Sequence, residues 1–291
     1  MSDRSIPRLP PRRPDSHKGD FGSALLIGGS RGMSGAIAMA GMAAVRAGAG
    51  LVRLAVPNCC LETVATFSPC TMLLPVTRQD SSGRMAGVTD VLLDWVKRSD
   101  CVAIGPGMGR SSMLDLMVVD LLRWMVDHAP ETAVVIDADG LNALSTCSNW
   151  QSKLPSRCVL TPHPGEWARL TGIPASQHDA QTDAAQKYAQ QNGINVVLKG
   201  NRTLVTGRWQ DGEYRAYRNE TGTPAMATGG SGDVLTGIIT ALICQGLSPL
   251  DAARLGVHAH GRAGQLAESE LGTHVVLPTD LVQYISRALT M

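Results

Sequence analysis

The sequence predicts an α/β fold built on a mostly parallel sheet with helices covering both faces. Three observations carry that prediction. Short apolar runs of strand length recur along the chain, longer amphipathic stretches separate most of them, and glycine-rich or acidic segments stand directly after the runs. Open α/β sheets collect their ligands beyond such strand ends.

Taken in order, residues 1–16 interleave Arg4, Arg8, Arg12 and Arg13 with Pro7, Pro10, Pro11 and Pro14 and lack the apolar core of a secretory signal. They read as an irregular arm, with a disordered tail favoured over a docking segment. The first strand is expected over Ala24 to Ile27 and the first helix over Gly35 to Ala47. Strands follow at Leu51 to Val56 and Cys101 to Ile104, then a helix over Met113 to His128. Ala133 to Ile136 and Cys158 to Leu160 are the next strands, and Asp179 to Gln191 the next helix. Val196 to Leu198 and Thr203 to Val205 are separated by so few residues that they read as a hairpin. From Val234 the apolar residues Val234, Leu235, Ile238, Ile239 and Leu242 recur at helical spacing, with Gly246 as the stop. Helical patterns continue through Leu250 to Ala267 and Pro278 to Leu289. With no low-complexity linker and no internal repeat, residues 17–291 are expected to form one domain.

Composition narrows the function. The 291 residues carry 26 basic and 25 acidic side chains, which gives no reason to expect nucleic acid or an acidic membrane as partner. Small molecules and copies of the same chain are the expected partners. Seven cysteines without C-x-x-C spacing argue against a disulfide framework and a structural zinc site, and for a reducing cytoplasm. No stretch approaches the roughly 18 apolar residues that span a bilayer.

The most informative segment is Gly222-Thr223-Pro224-Ala225-Met226-Ala227-Thr228-Gly229-Gly230-Ser231-Gly232-Asp233, where a loop of small residues enters a helix. Free amides at a helix start attract anions, and glycines let backbone approach a phosphate closely. An aspartate there would repel the phosphate unless it had a chemical task, such as deprotonating a hydroxyl that attacks phosphorus. The simpler reading makes Asp233 a helix-cap carboxylate and the glycines a tight turn; the length of the run favours the chemical one.

Other segments stand at strand ends. Gly28-Gly29-Ser30-Arg31-Gly32-Met33-Ser34-Gly35-Ala36 matches neither G-x-G-x-x-G nor the P-loop. It partly resembles the loop of short-chain dehydrogenases, but Tyr188, Tyr214, Tyr217 and Tyr284 all lack a lysine four residues on, which disfavours a dehydrogenase. Gly105-Pro106-Gly107-Met108-Gly109 brackets a strand end with three glycines and points to substrate contact through Gly107, against a plain turn. In a continuing strand Asp137 and Asp139 would share a face, serving magnesium or a capping network, while Asp139 serves equally to organise a turn. Asn142 is a polar candidate for the site's lining. In Thr161-Pro162-His163-Pro164-Gly165-Glu166 two prolines hold His163 in an extended loop, and Glu166 is placed to order a magnesium-bound water. Lys199-Gly200-Asn201-Arg202-Thr203 closes the hairpin, where successive amides can form a phosphate nest and Lys199 or Arg202 can neutralise charge. His258 and His260 do not share a helix face and read as packing residues, not metal ligands.

Together with His17-Lys18-Gly19-Asp20-Phe21-Gly22 and Asp137-Ala138-Asp139-Gly140-Leu141-Asn142, these motifs resemble, in order and over nearly the whole chain, the nucleotide-dependent NAD(P)H-hydrate dehydratases of the ribokinase-like superfamily. The resemblance implies a ribokinase-like three-layer αβα sandwich with a mostly parallel central sheet. It implies dehydration of the S form of hydrated NADH and NADPH (NADHX and NADPHX), with Asp233 as catalytic base. Ala36, Gly107, His163 and Asp233 are then substrate-binding, and Lys199, Gly200, Asn201, Arg202, Thr203, Gly229, Gly230, Ser231 and Gly232 nucleotide-binding. Asp137, Asp139, Asn142 and Glu166 line the site, Mg2+ accompanies the reaction, and no metal ligand is assigned. ADP is the expected co-substrate because the chain resembles the bacterial members; spacing leaves ATP open. A separate epimerase as functional partner, a homotetramer and a cytoplasmic location follow from the same resemblance. The competing function is a kinase of the same superfamily acting on a small vitamin-precursor alcohol. A nucleotide-binding regulator without catalysis is disfavoured by the intact Asp233.

Overall fold

A computed structural model describes residues 5–290; Met1–Arg4, with the first arginine of the arm, and Met291 lie outside the described residues. In chain order the elements are β1 (Ser23–Ile27), α1 (Ser34–Arg46), β2 (Leu51–Pro57), α2 (Leu61–Ala65), β3 (Met72–Val76), α3 (Asp90–Lys97), β4 (Cys101–Ile104) and α4 (Ser112–His128). There follow β5 (Ala133–Ile136), α5 (Ala138–Leu144), β6 (Cys158–Leu160), α6 (Pro164–Thr171), α7 (His178–Asn192), β7 (Asn195–Leu198), β8 (Leu204–Arg208) and β9 (Tyr214–Arg218). The chain ends in α8 (Ser231–Cys244), α9 (Pro249–Leu271) and α10 (Pro278–Leu289).

The strands form one nine-stranded sheet in the order β3-β2-β1-β4-β5-β6-β7-β8-β9. It is parallel through β7, and β8 and β9 add antiparallel, with Val197 opposite Val205 and Val205 opposite Tyr217. Strand side chains alternate between faces. Ala24 and Leu26 of β1 join the core beneath α1, α8, α9 and α10, whereas Leu25 and Ile27 join the core beneath α3 to α7. Helices therefore cover both faces, a three-layer α/β sandwich. Helix α8 packs tightly on α1: a Cβ on Gly237 would stand 2.8 Å from the Ala43 Cβ.

β1 pairs with β2 on one side and β4 on the other, and successive connections run in opposite directions from that point. A crevice opens there beyond the strands' carboxyl ends. Gly29 N–H donates to Pro106 O at 2.8 Å across it, joining the two glycine-rich loops.

Several expectations change. Met72–Val76 and Tyr214–Arg218 are strands that periodicity does not reveal, because both lie at sheet edges and leave many side chains exposed or half-exposed. Asp137 does not continue β5; it is the N-cap of α5, and Ala138 takes φ 46°. The segment around His163 is extended only to that residue, since Pro164 opens α6. The N-terminal arm is irregular but docked: Arg12 Nη2 donates to Gly48 O at 2.7 Å, its guanidinium lies 3.7 Å over the Phe21 ring, and Ser5 O accepts from Arg254 Nη2 at 2.6 Å. Ile6 and Leu9 pack on the core. For residues 5–16 these contacts favour a docked segment over the expected disordered tail. Among the described residues no helix is long and apolar enough to cross a membrane.

Candidate active site

The loop 222–230 delivers the chain to the start of α8 through Gly230, whose φ is 103°. That backbone requires glycine, and a Cβ there would also press on the Met39 side chain, 2.5 Å from its Cε. A Cβ on Gly229 would meet nothing within 4 Å, which leaves the approach to the helix open. Ser231, Gly232 and Asp233 form the first turn; the Ser231 amide donates to Thr228 O at 3.4 Å, and the next amides have no carbonyl one turn back. Ser231 Oγ lies 3.2 Å from His260 Nε2 on α9. Desolvation holds the His260 imidazole down at about 4, so it stays neutral near pH 7 and braces the loop without adding charge.

Asp233 is partly buried. Desolvation first and Asp137 next raise its carboxyl to about 7, with Lys199 opposing them and Asp139 and Glu166 adding to the rise. The carboxylate is thus poised to gain and lose a proton near neutrality.

Lys199 Nζ donates to Asp137 Oδ1 at 2.6 Å and lies 3.8 Å from Glu166 Oε2. Burial alone would push the ammonium down, but Asp137 and Glu166 outweigh it and raise it above its ordinary value. The other oxygen of Asp137 accepts from Thr236 Oγ1 at 2.7 Å, so α8 is keyed to the end of β5. A Cβ on Gly232 would stand 3.3 Å from Lys199 Nζ, which places the ammonium at the helix start.

His163 and Glu166 form a reciprocal cap on α6. His163 Nδ1 accepts from the Gly165 and Glu166 amides at 2.9 and 3.3 Å, and Glu166 Oε2 accepts from His163 N at 2.8 Å. Nδ1 is therefore engaged, while the side chain is 50% exposed. Burial raises the Glu166 carboxyl, against Lys199.

Asp139 turns away from Asp137. Its oxygens accept from Gly109 N at 2.8 Å and Asn142 Nδ2 at 3.2 Å, and Asn142 Oδ1 accepts from Arg169 Nη1 at 2.8 Å. The two aspartates thus brace different parts of the site rather than sharing a face. Among the described residues no group of three or more His, Cys, Asp or Glu side chains could hold a metal ion. A dedicated protein cage for Mg2+ does not fit these residues.

Ala36 and Gly107 meet at the crevice between β1 and β4. Gly107 has φ 64°, a Cβ on it would stand 2.9 Å from the Ala36 Cβ, and its carbonyl accepts from Ser30 Oγ at 2.8 Å. In the 199–203 turn Arg202 takes φ 57°, and Thr203 Oγ1 donates to Gly200 O at 3.0 Å. Arg202 lines a cavity of about 520 Å3 with Tyr217, Arg218, Thr221 and His258.

The fold thus assembles Asp233, Lys199, Asp137, Glu166 and Gly229 to Gly232 around one helix start, with Ala36, Gly107, Asp139 and Asn142 on its crevice side. Sequence reading missed Thr236, Ser30 and Arg169, and it assigned His260 to packing, whereas His260 bonds the phosphate-loop candidate. Thr236 had a signal, since it follows Asp233 by three residues on one helix face. The others meet their partners only through long-range packing.

A family model described as NAD(P)H-hydrate dehydratase matches residues 24–287. Among curated relatives, the bifunctional NAD(P)H-hydrate repair enzyme Nnr of Moorella thermoacetica is 43% identical over 97% of this chain and 52% of its own length. The ADP-dependent (S)-NAD(P)H-hydrate dehydratase of Neisseria meningitidis is 37% identical over 90% of this chain and 82% of its own. The chain spans about half the length of the bifunctional relatives it matches. Of the solved structures, the ADP/ATP-dependent NAD(P)H-hydrate dehydratase of Bacillus subtilis co-crystallized with ATP/Mg2+ superposes with TM-score 0.77 and 30% identity, covering 97% of this chain and 94% of that one. A ribokinase of Arabidopsis thaliana complexed with ribose and ATP, 12% identical, shares the ribokinase-like fold at TM-score 0.59 over 93% of this chain and 99% of its own.

Proposed function

The chain belongs to the NAD(P)H-hydrate dehydratase family, and from that premise we propose that it converts S-NADHX and S-NADPHX to NADH and NADPH, using ADP and releasing AMP and phosphate. The observation that carries this reading is Asp233, a carboxyl raised to about 7 in the first turn of a helix whose entry is glycine. A base with that proton affinity suits a hydroxyl nucleophile, and the amides beside it suit a phosphoryl group.

In the proposed reaction Asp233 takes the proton of the C6 hydroxyl as that oxygen bonds to the terminal phosphorus of ADP. The bond from phosphorus to AMP breaks, and amides of the Gly229 to Gly232 segment, with Lys199, offset the charge in transit. Electrons from the ring nitrogen expel phosphate from C6, and loss of the C5 proton restores the ring double bond. Hydroxide, a poor leaving group, is thereby replaced by phosphate. Ala36, Gly107 and the exposed edge of His163 hold the substrate. Lys199, Gly200, Asn201, Arg202 and Thr203 hold the nucleotide, whose adenosine takes the adjoining cavity of about 520 Å3. Asp137 and Glu166 fix Lys199, while Asp139 and Asn142 shape the crevice.

Mg2+ enters as a companion of the nucleotide's phosphates, as the ATP/Mg2+ of the Bacillus subtilis crystals suggests. The naming of the Neisseria meningitidis relative supports ADP as donor; the bifunctional hydrate-repair relatives support a second repair activity as functional partner, which we assign to an epimerase. Residues 17–291 acting as one domain, a homotetramer and a cytoplasmic location belong to the same reading; seven free cysteines support a reducing compartment. The test is the near-ultraviolet absorbance of reduced nicotinamide on mixing protein, magnesium and NADHX with ADP or ATP. A nucleotide-dependent rise is expected. A flat trace with both, from folded protein that binds nucleotide, would instead point to a kinase that leaves a stable phosphorylated alcohol.

A further inference from the structure

Two arginines on the crevice side have no part in the chemistry above. Arg31 lies in the glycine-rich loop after β1 and is exposed. Arg84 lies in the excursion between β3 and α3. Its Nε stands 3.0 Å from where a Cβ on Gly109 would be, and Ser30 Oγ stands 3.5 Å from the same point. Arg31 Nε stands 3.8 Å from the corresponding point on Gly83, the neighbour of Arg84. Arg84 therefore stands beside the loop that carries Gly107, and Arg31 beside the chain next to Arg84.

The excursion is preformed. Gln79 bridges to Met85, whose side chain is fully buried, and Asp80 Oδ1 accepts from the Ser82 and Arg84 amides at 2.9 and 3.0 Å. Arg84 Nη1 donates to Ser82 Oγ at 2.7 Å, and its nearest carboxylate, Asp80, is at 3.8 Å. A guanidinium has five N–H donors, so donors remain for a ligand.

Charge makes such a device necessary. At the catalytic end the carboxyl groups of Asp137, Glu166 and Asp233, with Asp139 beside them, outnumber the cations Lys199 and Arg169. A dinucleotide that carries a doubly anionic diphosphate would be repelled by that cluster unless cations held its other part. Planar guanidinium forks match phosphate oxygens better than any other side chain.

On the dehydratase reading, we propose that Arg31 and Arg84 clamp the diphosphate bridge of NADHX and NADPHX, leaving the nicotinamide end free to reach Asp233. They are binding residues that set specificity for a dinucleotide over a phosphate-free nicotinamide.

The experiment compares wild type with Arg31→Ala/Arg84→Ala on three substrates: NADHX, NADPHX and hydrated dihydronicotinamide riboside, which has no phosphate. Expected are a KM for both dinucleotides raised about tenfold or more, from losing charged hydrogen bonds, with kcat changed less than about twofold. The KM for ADP and turnover of the riboside should be equal in the two proteins, and Arg84→Lys should recover part of the dinucleotide KM. An unchanged dinucleotide KM, or an equal loss with the riboside, overturns the clamp. A KM raised for NADPHX alone also overturns it, since the arginines would then read the extra phosphate. If the double variant fails to fold, Arg31→Ala alone, on an exposed side chain, carries the same comparison. Wild type that turns over no hydrate overturns the dehydratase reading itself, and this inference with it.

Discussion

Lys199 Nζ donates to Asp137 Oδ1 at 2.6 Å, and Asp137 is 1% exposed, so the cation at the centre of the site is already matched to a buried carboxylate. Lys199→Ala would strand that carboxylate. The expected cost is about 3–5 kcal/mol, as for removing one partner of a buried pair, read by denaturant unfolding. The KM for nucleotide should rise as well; an unchanged KM would remove Lys199 from phosphate binding.

The pH profile reports Asp233. As a base it works when unprotonated, so kcat/KM should climb as pH rises through about 7, where its carboxyl titrates. Asp137 is a leading cause of the raised value, so Asp137→Asn should move that limb to lower pH. A limb that stays in place would mean that another group controls it.

Asp233→Asn should cut turnover by about 100-fold to 10,000-fold while nucleotide binding, measured by calorimetry, persists. Its stability should respond in a defined direction. The folded-state value of about 7 lies above the ordinary 3.8, so the folded protein holds the proton more tightly, and Asp233 lowers stability progressively as pH rises between those values. Asparagine cannot ionise. The variant should match wild type below about pH 4 and be more stable at pH 8 by on the order of 2 kcal/mol, a discounted figure because Asp233 keeps some contact with solvent.

Thr236→Val removes the hydroxyl that donates to Asp137 Oδ2 at 2.7 Å. A hydrogen bond to a charged group is worth about 1.5–3 kcal/mol, and Thr236→Ser should restore most of it. Chemical denaturation of the three proteins checks the series.

Gly230→Ala forces a side chain into a left-handed backbone and against Met39. The backbone term alone is about 1–2 kcal/mol. Nucleotide affinity should fall more steeply than thermal stability, because the strain sits at the helix entry and not in the core. Equal losses would mean that the loop is only a structural turn.

Much of this was legible because it is local. The strands Cys101–Ile104, Ala133–Ile136 and Cys158–Leu160 are apolar throughout, as strands covered on both faces must be. The helix after Asp233 follows from its 3.6-residue period and from glycines before and after it. The edge strand Met72–Val76 escaped because its exposed side chains carry no such period, and the capping role of Asp137 stayed one of two readings because a cap leaves no apolar trace.

The sequence by itself determined the layered α/β architecture, the glycine-opened helix and Asp233 within its first turn, since each depends on residues close together in the chain. Only the tertiary structure decided what Asp233 is chemically. Its proton affinity arises from desolvation and from Asp137, Lys199, Asp139 and Glu166, which come from the ends of β5 and β7 and the first turns of α5 and α6. Electrostatic fields depend on distance in space, and that distance is set by how the sheet orders its strands.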